Sequence, residues 1–121
     1  MIHLGADFLL RWVYQPAAFP HDLAVLDAEG RPKRGPLGPW TIVGPLCFGG
    51  DVLARGVMLP AIEPSDFVLV RDVGAYTLGM WSRHCSRAVP LVLGYEGEHL
   101  RVLRARETPA DIVAFWSGVR R

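Results

Sequence analysis

Three short stretches gather residue types that can do chemistry. The first is Gly44-Pro45-Leu46-Cys47-Phe48-Gly49-Gly50-Asp51. Two adjacent glycines beside a thiol and a carboxylate let backbone approach a ligand closely. Taken by itself, the stretch reads first as a glycine-rich turn around a buried cysteine, because cysteine is among the most buried residue types. The second is Asp72-Val73-Gly74-Ala75-Tyr76, a small-residue corner that presents a phenol. That phenol can hydrogen-bond a phosphate or stack on a ring, or it can simply pack at a strand end. The third is Trp81-Ser82-Arg83-His84-Cys85-Ser86-Arg87. Its guanidiniums suit an anion and His84 suits acid–base work, although a solvated polar loop is the plainer account. His84 and Cys85 are sequence neighbours, whose side chains diverge in a strand, so they make a poor catalytic dyad.

The elements that must hold these stretches are short. Phe8–Tyr14 is apolar with Arg11 as its only charge, and it reads as a buried or half-buried strand, with a helix turn as the alternative at that length. Leu23–Leu26 reads as a strand followed by a turn at Asp27-Ala28-Glu29-Gly30. Arg31–Pro39, rich in proline and glycine, reads as an exposed loop. Trp40–Val43 reads as a strand, and Val52–Leu59 is mixed. Glu63-Pro64-Ser65-Asp66 is a turn before Phe67–Val70, the clearest strand. Leu91–Leu93 and Leu100–Leu103 flank Tyr95–His99 as a hairpin. Thr108-Pro109-Ala110-Asp111 carries an N-cap residue, a first-turn proline and an acid, which predicts a closing helix. Together these predict a mainly β fold, a small antiparallel barrel or sandwich with short helical segments and a C-terminal helix.

Composition narrows the function. The chain has 121 residues and a net charge of +1, with half its residues hydrophobic. Overall disorder is excluded, and no whole-chain charge recruits nucleic acid or anionic lipid. Two cysteines form no CxxC pair, and no HxxxH or HxH spacing occurs. Met1–Leu10 lacks the basic region and apolar run of a signal peptide, and no stretch reaches the roughly 18 apolar residues of a membrane span. The expected compartment is the cytoplasm, with both thiols reduced. Twelve arginines stand against one lysine, Lys33. Chemistry needing a lysine nucleophile must therefore use Lys33 or a lysine from elsewhere.

The three stretches, in this order and spacing, resemble the C-terminal β-domain of the alanine-racemase-like pyridoxal-phosphate decarboxylases, which act on diaminopimelate, ornithine and arginine. The matching text is GPLCFGGD at Gly44–Asp51, LPAIEPSDFVLVRDVGAYT at Leu59–Thr77, the SRHCSR segment, and Arg106-Glu107-Thr108. RWVYQP at Arg11–Pro16 and FPHDLAVLD at Phe19–Asp27 resemble the family's crossing into this domain.

The resemblance implies that residues 1–121 form one β-domain and that the N-terminal barrel is absent from them. In such enzymes that barrel carries the lysine that bonds the cofactor. The β-domain closes an active site at a head-to-tail dimer interface. Tyr76 is implied to touch the cofactor phosphate. Cys47 is implied to reach the partner's site and return a proton after CO2 leaves, a role that suits a thiol as general acid. Asp51 is implied to contact a substrate amine or to anchor the turn. Phe48 is a departure, because the family usually has an acid there to meet the substrate's distal ammonium. An aromatic ring offers at most a cation–π face, which points away from the common diamino-acid substrates. The expected function is one part of a pyridoxal-phosphate amino-acid decarboxylase, inactive alone, partnered by a barrel domain or a homologous subunit and self-associating. A catalytically dead docking module for an intact homologue is the second expectation, and an unrelated nucleic-acid-binding barrel a distant third. The apolar residues expected to face a partner are Trp12, Met80 and Trp81.

Overall fold

A computed structural model describes residues 1–118, so residues 119–121 of the expected domain lie outside the described residues. The chain divides into two compact units, Met1–Ser82 and a second beginning at Arg83.

The first unit opens with a helix, α1 (Ala6–Tyr14), not the strand that its apolar run suggested. Ala6, Phe8, Leu9 and Trp12 are buried, which is the three-and-four spacing of one helix face. Asp7 sits in the first turn, where its charge suits the helix dipole. Four strands follow: β1 (Leu23–Leu26), β2 (Gly38–Val43), β3 (Val52–Leu59) and β4 (Phe67–Val70). They pair antiparallel as β1 with β4 and β2 with β3. The turn at Asp27–Gly30 forms as expected, with Gly30 at a φ of 80° and the Asp27 carboxylate accepting from the backbone of Glu29 and Arg31. β3 was not evident in the sequence because Arg55-Gly56 interrupts its apolar alternation, and Gly56 adopts a φ of 63°. The register between β2 and β3 shifts on either side of Ile42, which bends the pair. The core is Phe8, Leu9, Trp12, Val25, Ile42, Leu46, Leu53 and Leu59. Each such side chain contributes about 1.5–3 kcal/mol by leaving water.

The second unit holds a short 3₁₀ turn (His84–Ser86), the hairpin β5 (Val92–Glu96) and β6 (His99–Arg104), and α2 (Pro109–Ser117). The hairpin and helix form as expected, but the hairpin strands run on through Tyr95, Glu96 and His99, which the sequence assigned to its connection, so the turn is tighter. Thr108 and Asp111 form a complete capping box, with Asp111 accepting from the Thr108 amide at 2.8 Å. Among the described residues the six strands form three two-stranded antiparallel sheets. The fold is mainly β with a C-terminal helix, and these sheets are not closed into a barrel. Among the described residues no helix is long and apolar enough to cross a membrane.

Trp12 corrects the expected partner-facing set, because it is buried in the first unit's core. Met80 and Trp81 are half-buried. The large apolar residues that do face outward include Leu100, Val102, Val113, Phe115 and Trp116 in the second unit.

Glu107 ties the second unit together. Arg83 donates to its carboxylate twice, at 3.0 and 2.9 Å, and the Val89 amide donates at 2.8 Å. The Arg83 guanidinium also lies 4.4 Å from the Phe115 ring centroid. The Arg83 hydrogen bonds hold the Glu107 carboxyl below its ordinary value of 4.5, against opposing desolvation. A depressed folded-state pKa gives stability that is present above the unfolded value and is lost as pH falls through the folded one. Glu107→Gln should therefore lower the denaturation midpoint of the chain near neutral pH, and the gap from wild type should close as pH drops below about 4. A constant gap across that range would count against this assignment.

Candidate functional site

Asp51 organises the first unit's candidate site. It is only 3% exposed. Its Oδ1 accepts from the Ala6 amide and its Oδ2 from the Leu46 amide, each at 2.7 Å. One carboxylate thus caps the start of α1 and closes the turn that follows β2. The backbone reinforces this closure. The Gly44 amide donates to the Asp51 carbonyl at 2.9 Å, and the Asp51 amide donates to the Phe48 carbonyl at 3.1 Å. A Cβ on Gly44 would overlap the Asp51 carboxylate, and one on Gly5 would lie 2.6 Å from both its oxygens. The carboxylate faces inward and is held by backbone amides, which is the arrangement of an anchor.

The closed turn throws its middle outward. Cys47 is exposed, which departs from the buried cysteine that the stretch alone suggested. Phe48 is 44% exposed, and its ring edge lies over Gly50, with Cε2 2.6 Å from where a Cβ would stand.

Tyr76 stands on a different loop. It adopts a φ of 58°, and Asp72 in the same loop adopts 55°. Non-glycine residues pay roughly 1–2 kcal/mol for that left-handed conformation. The Thr77 hydroxyl steadies the loop by donating to the Val73 carbonyl at 2.5 Å. Tyr76 is half exposed and meets Phe19 edge-on, centroids 5.5 Å apart at 81°.

Arg11 is the residue that sequence reasoning passed over. Its guanidinium carbon lies 4.5 Å from the Phe19 centroid, 4.8 Å from Tyr76 and 5.5 Å from Tyr14. Nη1 donates to the Tyr14 hydroxyl at 2.7 Å, while Nε is buried without a hydrogen-bond partner. A cation among three rings, with two phenols beside it, favours an anionic oxygen group. The signal was present in the sequence as the only charge in the apolar run Phe8–Tyr14.

Trp81 and Ser82 end the first unit, and Arg83 to Arg87 open the second. Cys85 adopts a φ of 55° within the short His84–Ser86 turn. Lys33 Nζ lies 2.6 Å from Asp66 Oδ2, and this contact raises the lysine's pKa above its ordinary value and lowers that of Asp66.

The family model described as "Pyridoxal-dependent decarboxylase, C-terminal sheet domain" matches residues 6–74. The chain belongs to this family. The decarboxylase sheet-domain match takes in α1, the Cys47 turn and all four strands of the first unit. The chain is 35% identical over 94% of its length to the diaminopimelate decarboxylase of Streptomyces coelicolor, of which it spans 27%. It is 41% identical over 62% of its length to the Deinococcus radiodurans diaminopimelate decarboxylase, of which it spans 20%. A crystal structure of a diaminopimelate decarboxylase superposes with a TM-score of 0.85 at 25% identity, covering 98% of this chain and 30% of that one. The Helicobacter pylori diaminopimelate decarboxylase complexed with L-lysine gives 0.79 at 28% identity, covering 96% and 27%. The chain therefore spans about a fifth to three-tenths of the length of these relatives.

The anchor role of Asp51 has a direct consequence. Asp51→Ala leaves two buried amides without acceptors and should cost about 2–5 kcal/mol of stability. Gly44→Ala, which forces the carboxylate aside, should cost about 1–3 kcal/mol. Urea denaturation of the two variants checks both, and unchanged midpoints would contradict the anchor.

Proposed function

We propose that this chain is the cofactor- and substrate-contacting β-domain of a pyridoxal-phosphate amino-acid decarboxylase, with both compact units belonging to that one domain. The observation that carries the reading is the family match across a turn whose buried Asp51 holds Cys47 outward on a fixed backbone. A group meant to deliver a proton must be both exposed and held in place.

The residues present fit the cofactor's phosphate. Arg11 supplies a cation with one buried donor lacking a partner, and Tyr76 supplies a phenol beside it. When bound, pyridoxal phosphate supplies the electron sink that lets an α-amino acid lose CO2. In this reading the Tyr76 hydroxyl would donate a hydrogen bond to a phosphate oxygen and Arg11 would balance the charge. The left-handed backbone at Tyr76 is strain of the kind that gathers at binding sites. Cys47 would hold a proton on Sγ and return it to the carbon that has lost CO2, in a partner subunit's site. Asp51 positions Cys47 and touches no substrate.

Lys33 does not bond the cofactor in this reading. A nucleophilic lysine needs a lowered pKa, and the Asp66 contact acts in the opposite direction. The lysine then comes from a barrel domain, and the 121 residues alone do not decarboxylate. Two-stranded sheets are marginal by themselves, so barrel or sandwich closure belongs to the larger assembly. The exposed apolar residues of the second unit support association with the barrel or with a second copy. Cytoplasmic residence accords with exposed cysteines kept reduced.

Two measurements test the reading. Pyridoxal phosphate added to the purified chain should give no absorbance band of a lysine-bound cofactor; a band abolished by Lys33→Ala would refute the lysine assignment. Mixed with its barrel partner, the chain should restore CO2 release, and Cys47→Ala should reduce the rate by roughly 100-fold or more. Full release with Cys47→Ala would refute the Cys47 assignment.

A further inference from the structure

One ring, that of Phe19, meets both the cation and the phenol of the first unit. The Arg11 guanidinium carbon lies 4.5 Å from the Phe19 centroid and 4.8 Å from that of Tyr76. The Phe19 and Tyr76 rings themselves meet at 81°, with centroids 5.5 Å apart. Tyr76 needs such support. Its φ of 58° is left-handed, a conformation that costs a residue with a side chain, and its ring is half exposed.

Phe19 is well placed to give that support. The Gln15 amide donates to the Arg11 carbonyl at 3.0 Å, and the Ala18 and Phe19 amides both donate to the Gln15 carbonyl at 3.1 Å. The chain thus keeps turning after α1 ends and brings Phe19 back beside Arg11. Pro20 follows, and a proline disfavours the helical region for the residue before it. Phe19 is half-buried, and its backbone is tied down on both sides.

We infer that Phe19 is a positioning residue for cofactor capture: its ring seats the Tyr76 phenol beside Arg11. The inference rests on the reading of Tyr76 as a phosphate contact and deepens it. A perpendicular ring contact and a cation–ring contact are each of the same order as the strain of one left-handed residue. Removing the ring at Phe19 takes away the first contact and uncovers the cation, so the strain is no longer offset and Tyr76 relaxes out of place. A hydroxyl displaced by an ångström loses its hydrogen bond. Leucine is also apolar but has neither a π face for Arg11 nor a ring for Tyr76, so it separates positioning from the filling of space.

The chain has three tyrosines, Tyr14, Tyr76 and Tyr95. With labelled tyrosine rings, NMR of the full chain should show a Tyr76 signal displaced from that of free tyrosine by the neighbouring rings, assigned by its loss in Tyr76→Phe. Phe19→Leu should return that signal toward the free value and leave Tyr95 in place, while the buried Val25 and Ile42 methyl signals report that the first unit stays folded. Phe19→Met is the second ring-free variant should Phe19→Leu unfold. In the assembly with the barrel, followed by absorbance, Phe19→Leu should raise the dissociation constant of pyridoxal phosphate roughly three- to tenfold, the worth of one aromatic contact. Phe19→Tyr keeps the ring and should restore the affinity. An unmoved Tyr76 signal in Phe19→Leu overturns the inference. So does unchanged cofactor affinity in Phe19→Leu where Tyr76→Phe is weakened, or a loss that Phe19→Tyr does not restore. If Tyr76→Phe binds the cofactor as tightly as wild type, the phosphate reading of Tyr76 falls, and the tyrosine signal still decides whether Phe19 seats the ring.

Discussion

The inward-facing carboxylate of Asp51 is the constraint on which the first unit depends. A helix start leaves amide donors without partners, and a tight turn leaves more. Here one side chain serves both, joining Ala6 at the start of α1 to Leu46 in the turn. Burying that charge is costly unless hydrogen bonds compensate it, and the compensation requires backbone to approach from two sides. Gly5 and Gly44 provide the approach, since a Cβ at either would collide with the carboxylate. The glycine pattern, the helix start and the outward aim of Cys47 are thus one physical arrangement.

The helical state of α1 matters for the same reason. Arg11 and Tyr14 are three residues apart, so a helix sets them on one face. A strand would have pointed them to opposite faces. Because Phe8, Leu9 and Trp12 take the buried face, Arg11 and Tyr14 are left on the side where Phe19 and Tyr76 stand. The guanidinium is only partly hydrated there, and the rings and the Tyr14 hydroxyl replace part of its water. What they leave over is the buried Nε, a donor without a hydrogen-bond partner.

These two features also mark how far the sequence could be read. The strands β1, β2 and β4, the β5–β6 hairpin and the Thr108 cap announce themselves through neighbours a few residues away, and each formed. The helix at Ala6–Tyr14 did not, because an apolar run of that length satisfies both periodicities and its decisive cap, Asp51, lies 45 positions along the chain. β3 was hidden by Arg55-Gly56, whose irregularity the pairing with β2 absorbs through a shifted register. Cys47, Phe48 and Tyr76 were identifiable by type and spacing. Arg11 was visible as a lone charge, but its meaning arises only when Tyr76 folds back beside it.

Lys33 shows how a composition count becomes chemistry. As the only lysine it was the only possible lysine nucleophile in these residues. Its contact with Asp66 holds the proton that a nucleophile must lose, and the Glu63 amide donates to the same carboxylate at 2.7 Å, so Asp66 is fixed in its charged form. The pair stabilises the approach to β4 and keeps the Lys33 ammonium protonated. What remains on this chain is a cation with a phenol and a thiol on a fixed turn. Each of these can recognise or protonate a substrate, and none can bond a cofactor. In the proposed decarboxylase, the division of labour between this domain and a barrel would follow from where one proton is held.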